Sequence, residues 1–175
     1  MKSLKEHLLD RYCDLSLHRP FLDEENYVAD FPLYTLCGKL VGLQRYRPLG
    51  SKKVRNDSKL GKYYTIYNKQ DLVFFGIETL HFSNVIFLVE GLFDACRISK
   101  HGYSVLSAFS NDLDKNRQSF LHCLSRPIVA VCDNDVAGRK LAKSADYVEY
   151  AENKDLGDSS EEFVLSLLKK YKGDL

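Results

Sequence analysis

The sequence predicts an α/β protein: a mostly parallel sheet with flanking helices over residues 85–175, preceded by a small basic, β-rich α+β lobe over residues 1–84. Three observations predict it. Residues 85–89 (VIFLV) and 128–132 (IVAVC) are continuous apolar runs, the pattern of strands buried on both faces of a parallel sheet. From residue 85 onward, strand-like and helix-like segments alternate, the signature of layered βα units. Between Lys39 and Lys69, nine Lys/Arg residues meet a single acid, Asp57, within a chain whose formal net charge is only +1. Such segregation points to a phosphate-facing surface.

In the first region, residues 3–12 read as a helix, with Ser3 and Glu6 in capping-box spacing. Residues 34–36 and 40–44 flank Cys37-Gly38-Lys39 as a hairpin, and residues 62–67 (KYYTIY) form a further aromatic strand. In the second region, strands are expected at 85–89, 103–106, 128–132 and 146–150. Helices are expected at 92–101, 111–124, 136–144 and 159–171, the last with Ser159 and Glu162 in capping-box register.

Hydrophobic residues make up 45% of the 175, enough for a buried core. There is no apolar run of membrane-spanning length and no signal-peptide core, so a cytoplasmic protein is expected. Five dispersed cysteines (Cys13, Cys37, Cys96, Cys123, Cys132) without a CxxC pair suit free thiols in a reducing compartment. The adjacent His122 and Cys123 lack a second ligand pair, so no zinc is expected.

Two predicted strands run directly into carboxylates: VIFLV into Glu90-Gly91, and IVAVC into Asp133-Asn134-Asp135. Ligands of open α/β sheets bind beyond the carboxyl ends of the strands, and neighbouring strands lie about 5 Å apart, so these side chains can converge. A third acidic group, Asp155 and Asp158, follows the last strand. Gathered carboxylates repel unless a cation lies between them, and an oxygen-only set favours Mg²⁺ or Mn²⁺. Singly, each acid has a plainer explanation. Asp135 could N-cap a helix starting at Val136, and Asp158 could cap the last helix. Gly91 and Gly138 mark places where backbone must come close.

The segments VEGLFDA (89–95), VCDNDVAGRKLA (131–142) and NKDLGD (153–158), in that order, resemble the Toprim domain shared by bacterial-type primases, type IA and II topoisomerases, OLD-family nucleases and RecR-like proteins. The DxDxAGR form is similar to that of primases, including phage primase–helicases. Upstream, CGKLVGLQRYRP (37–48), Lys62-Tyr63 and LVFFGIETL (72–80) resemble the basic lobe that precedes Toprim in primases and that topoisomerases lack.

The resemblance implies metal-dependent synthesis of short RNA primers on single-stranded DNA, with ribonucleotides as substrates, in a replication setting such as a phage. Glu90 would be the acid/base or metal-organising carboxylate, Asp133 and Asp135 the main metal ligands, and Asp155 the completion of the patch. Arg45, Arg47, Lys52, Lys53, Lys62 and Arg139 would hold template or nucleotide phosphates, with Tyr46, Tyr63, Tyr64 and Tyr67 available for stacking or for packing. A Toprim nuclease, or a non-catalytic nucleic-acid-binding Toprim protein, are the alternatives. Two departures stand out. SAFSN (107–111) lacks the glycine usual after the second Toprim strand, and the chain has neither a zinc module nor a GxxxxGK[ST] loop. The chain would then lack sequence-specific initiation or borrow it from a partner, the candidate partners being a replicative helicase or a separate initiation-specificity protein.

Overall fold

The computed structural model describes residues 2–51, 60–68, 71–135 and 138–172. The chain divides into two compact units, Met1–Val73 and Phe74–Leu175.

The first unit begins with α1 (Leu4–Leu9), capped by the anticipated box: Glu6 N donates to Ser3 Oγ, and Ser3 N donates to Glu6. A short α2 (Leu15–His18), capped by Asp14, leads to β1 (Phe21–Asp23); both are too short to show a period in sequence. Then come β2 (Val28–Tyr34), β3 (Leu40–Tyr46) and β4 (Tyr63–Tyr67), all antiparallel in the order β1-β2-β3-β4. The β2–β3 hairpin turns through Gly38 at φ +78. Alternation sorts the strands. Ala29, Phe31, Leu33, Gln44 and Tyr46 are buried, while Asp30, Arg45 and Tyr64 share the opposite face in cross-strand register.

The second unit holds β5 (Ile86–Val89), α3 (Leu92–Ser99), β6 (Ser104–Ser107), α4 (Lys115–Cys123), β7 (Ile128–Cys132), α5 (Gly138–Leu141), β8 (Tyr147–Tyr150) and α6 (Glu161–Lys169). The four strands are parallel in the order β6-β5-β7-β8. β5, β6 and β7 are buried along their whole length, and β5 and β7 accordingly read as unbroken apolar runs. On one face Ile86, Leu88, Leu106, Ile128 and Ala130 pack with Leu121 of α4 and Leu141 of α5. On the other, Phe87 meets Tyr103 and Tyr171 edge-on at 5.6 Å each.

Residues 74–83 belong to this unit because they cover the free edge of β6. Phe75 bridges Ser107, Thr79 Oγ1 accepts from Val105 N (2.8 Å), and Ser83 Oγ accepts from Ser104 N (2.9 Å).

Several boundaries differ from expectation. The first hairpin strand is Val28–Tyr34, not residues 34–36, and the first helix ends at Leu9 rather than residue 12. α4 starts at Lys115 with Asp114 as its cap, not at residue 111. The helix expected at 136–144 is an α-turn followed by a 3-10 turn, Ala142–Ser144; Val136 and Ala137 lie outside the described residues. Ser160, not Ser159 or Asp158, caps α6, and the Ser159 hydroxyl instead donates to the Asp155 carbonyl (3.0 Å). Among the described residues no helix is long and apolar enough to cross a membrane. All five cysteines are unbridged.

Candidate active site

The strand order determines where a ligand can sit. From β5 the chain moves outward to β6, then crosses back over β5 to β7. Loops leaving β5 and β7 therefore run in opposite directions and open a crevice between adjacent strand ends. Glu90 directly follows β5 and Asp133 directly follows β7, one on each side of that switch point.

Glu90 is anchored through its backbone. Its carbonyl accepts from Ser107 Oγ (2.8 Å) and from Phe109 N (3.0 Å), with Phe109 in the left-handed region at φ +54. This loop contains no glycine, and Phe109 itself takes the left-handed conformation. Asp133 is held by a tight turn in which Asp135 N donates to the Asp133 carbonyl (2.8 Å) and Gly138 N donates to Asp135 Oδ1 (2.8 Å). Asp135 thus accepts from the first residue of α5 as well as belonging to the candidate site. Asn134 N donates to the Lys154 carbonyl (3.2 Å), tying this turn to the loop that carries Asp155. Asp155 caps the 3-10 turn Leu156–Asp158, accepting from Asp158 N at 2.9 Å.

The electrostatics centre on Asp133. Half-burial pushes its carboxyl up to about 7, and the charges of Asp94, Glu90, Asp155 and Asp135 add to the shift. Glu90 is also raised, first by burial and then by Asp135. Three of the four acids predicted from sequence therefore act on the fourth, Asp133. Asp94, which the sequence had not flagged, contributes more to Asp133 than any of the others. It lies in the first turn of α3, where its carboxylate accepts from Gly91 N (3.2 Å), so in sequence it looks like an ordinary helix-start acid.

Among the described residues no three His, Cys, Asp or Glu side chains converge into a ready metal-binding group. Asp135 and Asp155 each give an oxygen to a backbone N–H. The donor set still fits a hard divalent cation, being oxygen-only and self-repelling around a half-buried member.

The basic residues separate. Arg45 is engaged by Asp30 through two hydrogen bonds of 2.7 and 2.6 Å. Arg47 donates from Nη1 to the Gly61 carbonyl at 3.4 Å, and Lys62 Nζ lies 5.9 Å from the centre of the Tyr46 ring. Tyr46 is fully buried, stacks on His7 and Tyr63, and bonds His7 through its hydroxyl (2.9 Å), so it is a packing residue. Arg139 is exposed on α5. Lys52 and Lys53 lie outside the described residues.

No sequence profile of a known family matches the chain, and no curated protein sequence does. Solved structures do. The RNA polymerase domain of Mycobacterium tuberculosis primase DnaG superposes with a TM-score of 0.62 at 18% identity, covering 95% of this chain and 64% of that one. The Aquifex aeolicus primase, zinc-binding and RNA polymerase domains, gives 0.61 at 21%, covering 81% and 38%. The primase fragment of the bacteriophage T7 primase-helicase gives 0.54 at 17%, covering 84% and 60%. The fold is that of a primase catalytic core, and the chain spans between about a third and two thirds of these relatives.

Proposed function

We propose that this chain carries a primase-like, Toprim-type nucleotidyltransferase activity that joins ribonucleotides on a single-stranded DNA template. One observation carries the proposal: four carboxylates act on a fifth, Asp133, at the switch point of a sheet with a primase-core fold. One of the similar structures is a DnaG catalytic domain bound to single-stranded DNA, which supports the choice of template.

Asp133 and Asp135, with Glu90, Asp94 and Asp155 around them, would hold Mg²⁺ or Mn²⁺. When bound, the cation lowers the cost of charge developing on the α-phosphate and on the attacking 3′-hydroxyl oxygen. Glu90, lifted above the ordinary carboxylate range by burial and by Asp135, is suited to accept the proton of that hydroxyl. A new phosphodiester bond forms as the bond to pyrophosphate breaks. Arg47 and Lys62 supply positive charge for template or nucleotide phosphates.

The test is incubation of the purified chain with single-stranded DNA, labelled ribonucleotides and Mg²⁺ or Mn²⁺. Short RNA products that vanish with Asp133→Ala are expected. Cleavage of labelled DNA with the same dependence would identify a nuclease instead. Binding with neither product, indifferent to Asp133→Ala, would overturn the catalytic assignment.

A further inference from the structure

We infer that Arg97 is a positioning residue that holds Asp155 in the acidic site; this rests on the assignment of Asp155 to that site. Arg97 lies on α3, one turn beyond Asp94, and is only 2% exposed. Its Nη1 donates to two consecutive carbonyls, Leu156 (2.8 Å) and Gly157 (3.0 Å), and its Nη2 lies 3.4 Å from Glu161 Oε2 on α6. Leu156 and Gly157 belong to the 3-10 turn that Asp155 caps.

A buried guanidinium is costly unless its donors are satisfied, and an apolar side chain of similar volume would fill the same space at least as stably. The planar fork offers what an apolar residue cannot: it fixes the direction of the two carbonyls it binds. The same helix begins directly after Glu90 and carries Asp94 in its first turn. α3 thereby sets Glu90 through its start, Asp94 through its first turn and Asp155 through Arg97. Three acids from two separated stretches of sequence are referred to one rigid element. Glu161 balances the arginine's charge and also receives Lys100 (3.2 Å). The carbonyl contacts, rather than this ion pair, orient the turn.

The experiment measures Mn²⁺ affinity by calorimetry on the full chain, with thermal unfolding in parallel, for Arg97→Met, Arg97→Lys, Glu161→Gln, Asp155→Asn and the Arg97→Met/Asp155→Asn double variant. Arg97→Met is expected to weaken Mn²⁺ binding by about tenfold, as residues that orient metal ligands do, while its melting temperature holds or rises. Arg97→Lys is expected to recover part of the loss, and Glu161→Gln to stay within about twofold of the parent. The double variant is expected to be no weaker than Asp155→Asn alone, because both changes act through one carboxylate.

Unchanged affinity in Arg97→Met, where Asp155→Asn does weaken binding, would overturn the positioning role. Unchanged affinity in Asp155→Asn would remove Asp155 from the site, and the inference with it. Should Arg97→Met not fold, Arg97→Lys decides: parent-like affinity in a folded protein overturns the inference, and intermediate affinity supports it.

Discussion

Arg45 and Asp30 face each other in register across β2 and β3 and close a two-pronged pair, Nε to Oδ1 at 2.7 Å and Nη2 to Oδ2 at 2.6 Å. The geometry is that of a bidentate arginine–carboxylate fork, and it further raises the arginine's already high proton affinity. The charge that a phosphate would see is largely cancelled in place. Arg45→Ala is therefore expected to leave single-stranded DNA affinity within about twofold, with a stability loss below about 1 kcal/mol because the pair is partly exposed. Arg47→Ala and Lys62→Ala are each expected to weaken binding and to lower the slope of log affinity against log salt by about one. Fluorescence anisotropy across a salt series checks this. An equal slope change in Arg45→Ala would return that residue to the phosphate surface.

The raised Asp133 carboxyl gives the metal-free protein a pH dependence of defined sign. The folded state holds this proton up to about pH 7, whereas the unfolded chain releases it near 3.8. Its stabilising contribution is complete below the unfolded value and is lost as pH rises through about 7. Glu90, also raised, acts in the same direction. Asp133→Asn is expected to melt higher than the parent at pH 8 and to show a flatter melting temperature between pH 5 and 8. Calorimetry in chelator across that range is the check, and parallel curves for the two proteins would contradict the assignment.

Thr79 links the segment before β5 to the edge of β6. Its fully buried hydroxyl accepts from Val105 N and lies 2.7 Å from the Gly76 carbonyl and 3.0 Å from that of Val105. Thr79→Val keeps the volume and strands a buried strand-edge N–H. A loss of about 1–3 kcal/mol in denaturant unfolding is expected, with Mn²⁺ affinity unchanged because the site lies at the opposite side of β5.

How much of this was visible in sequence depended on whether the deciding interaction was local. β5 and β7 could be read directly, because strands covered on both faces must be apolar throughout. Glu90, Asp133 and Asp135 could be read because each abuts such a strand. Asp94 could not: its importance comes from its charge acting on Asp133, far off in sequence, and locally it is one of many first-turn acids. Arg45 showed its charge but not its partner, since Asp30 meets it only through strand register fifteen residues away. At α6, Ser159 and Ser160 are equivalent candidates for the cap in sequence, and the choice follows from the Ser159 hydroxyl being taken by the Asp155 carbonyl. β1, with three residues, and α2, with four, carry too few positions to show a period.

Gly138 offers the most direct way to move the site without changing any of its acids. A Cβ there would lie 2.2 Å from the Asp133 carbonyl oxygen and 3.0 Å from its amide nitrogen, both backbone atoms that cannot swing aside. Either α5 or the Asp133 turn must shift. Gly138→Ala is expected to destabilise by about 1–3 kcal/mol, the range for overpacking a close contact. It should also lower primer synthesis by about 100-fold, since a displacement near 1 Å at reacting groups has that effect. Gly102→Ala is the control: Gly102 is at φ +77 with open space around it, so the substitution strains the backbone by about 1 kcal/mol far from the acids. Both variants should melt lower, and only Gly138→Ala should lose synthesis after correction for folded fraction. Equal specific activities in the two would mean that the Asp133 turn tolerates displacement, and that the close approach of Gly138 serves packing alone.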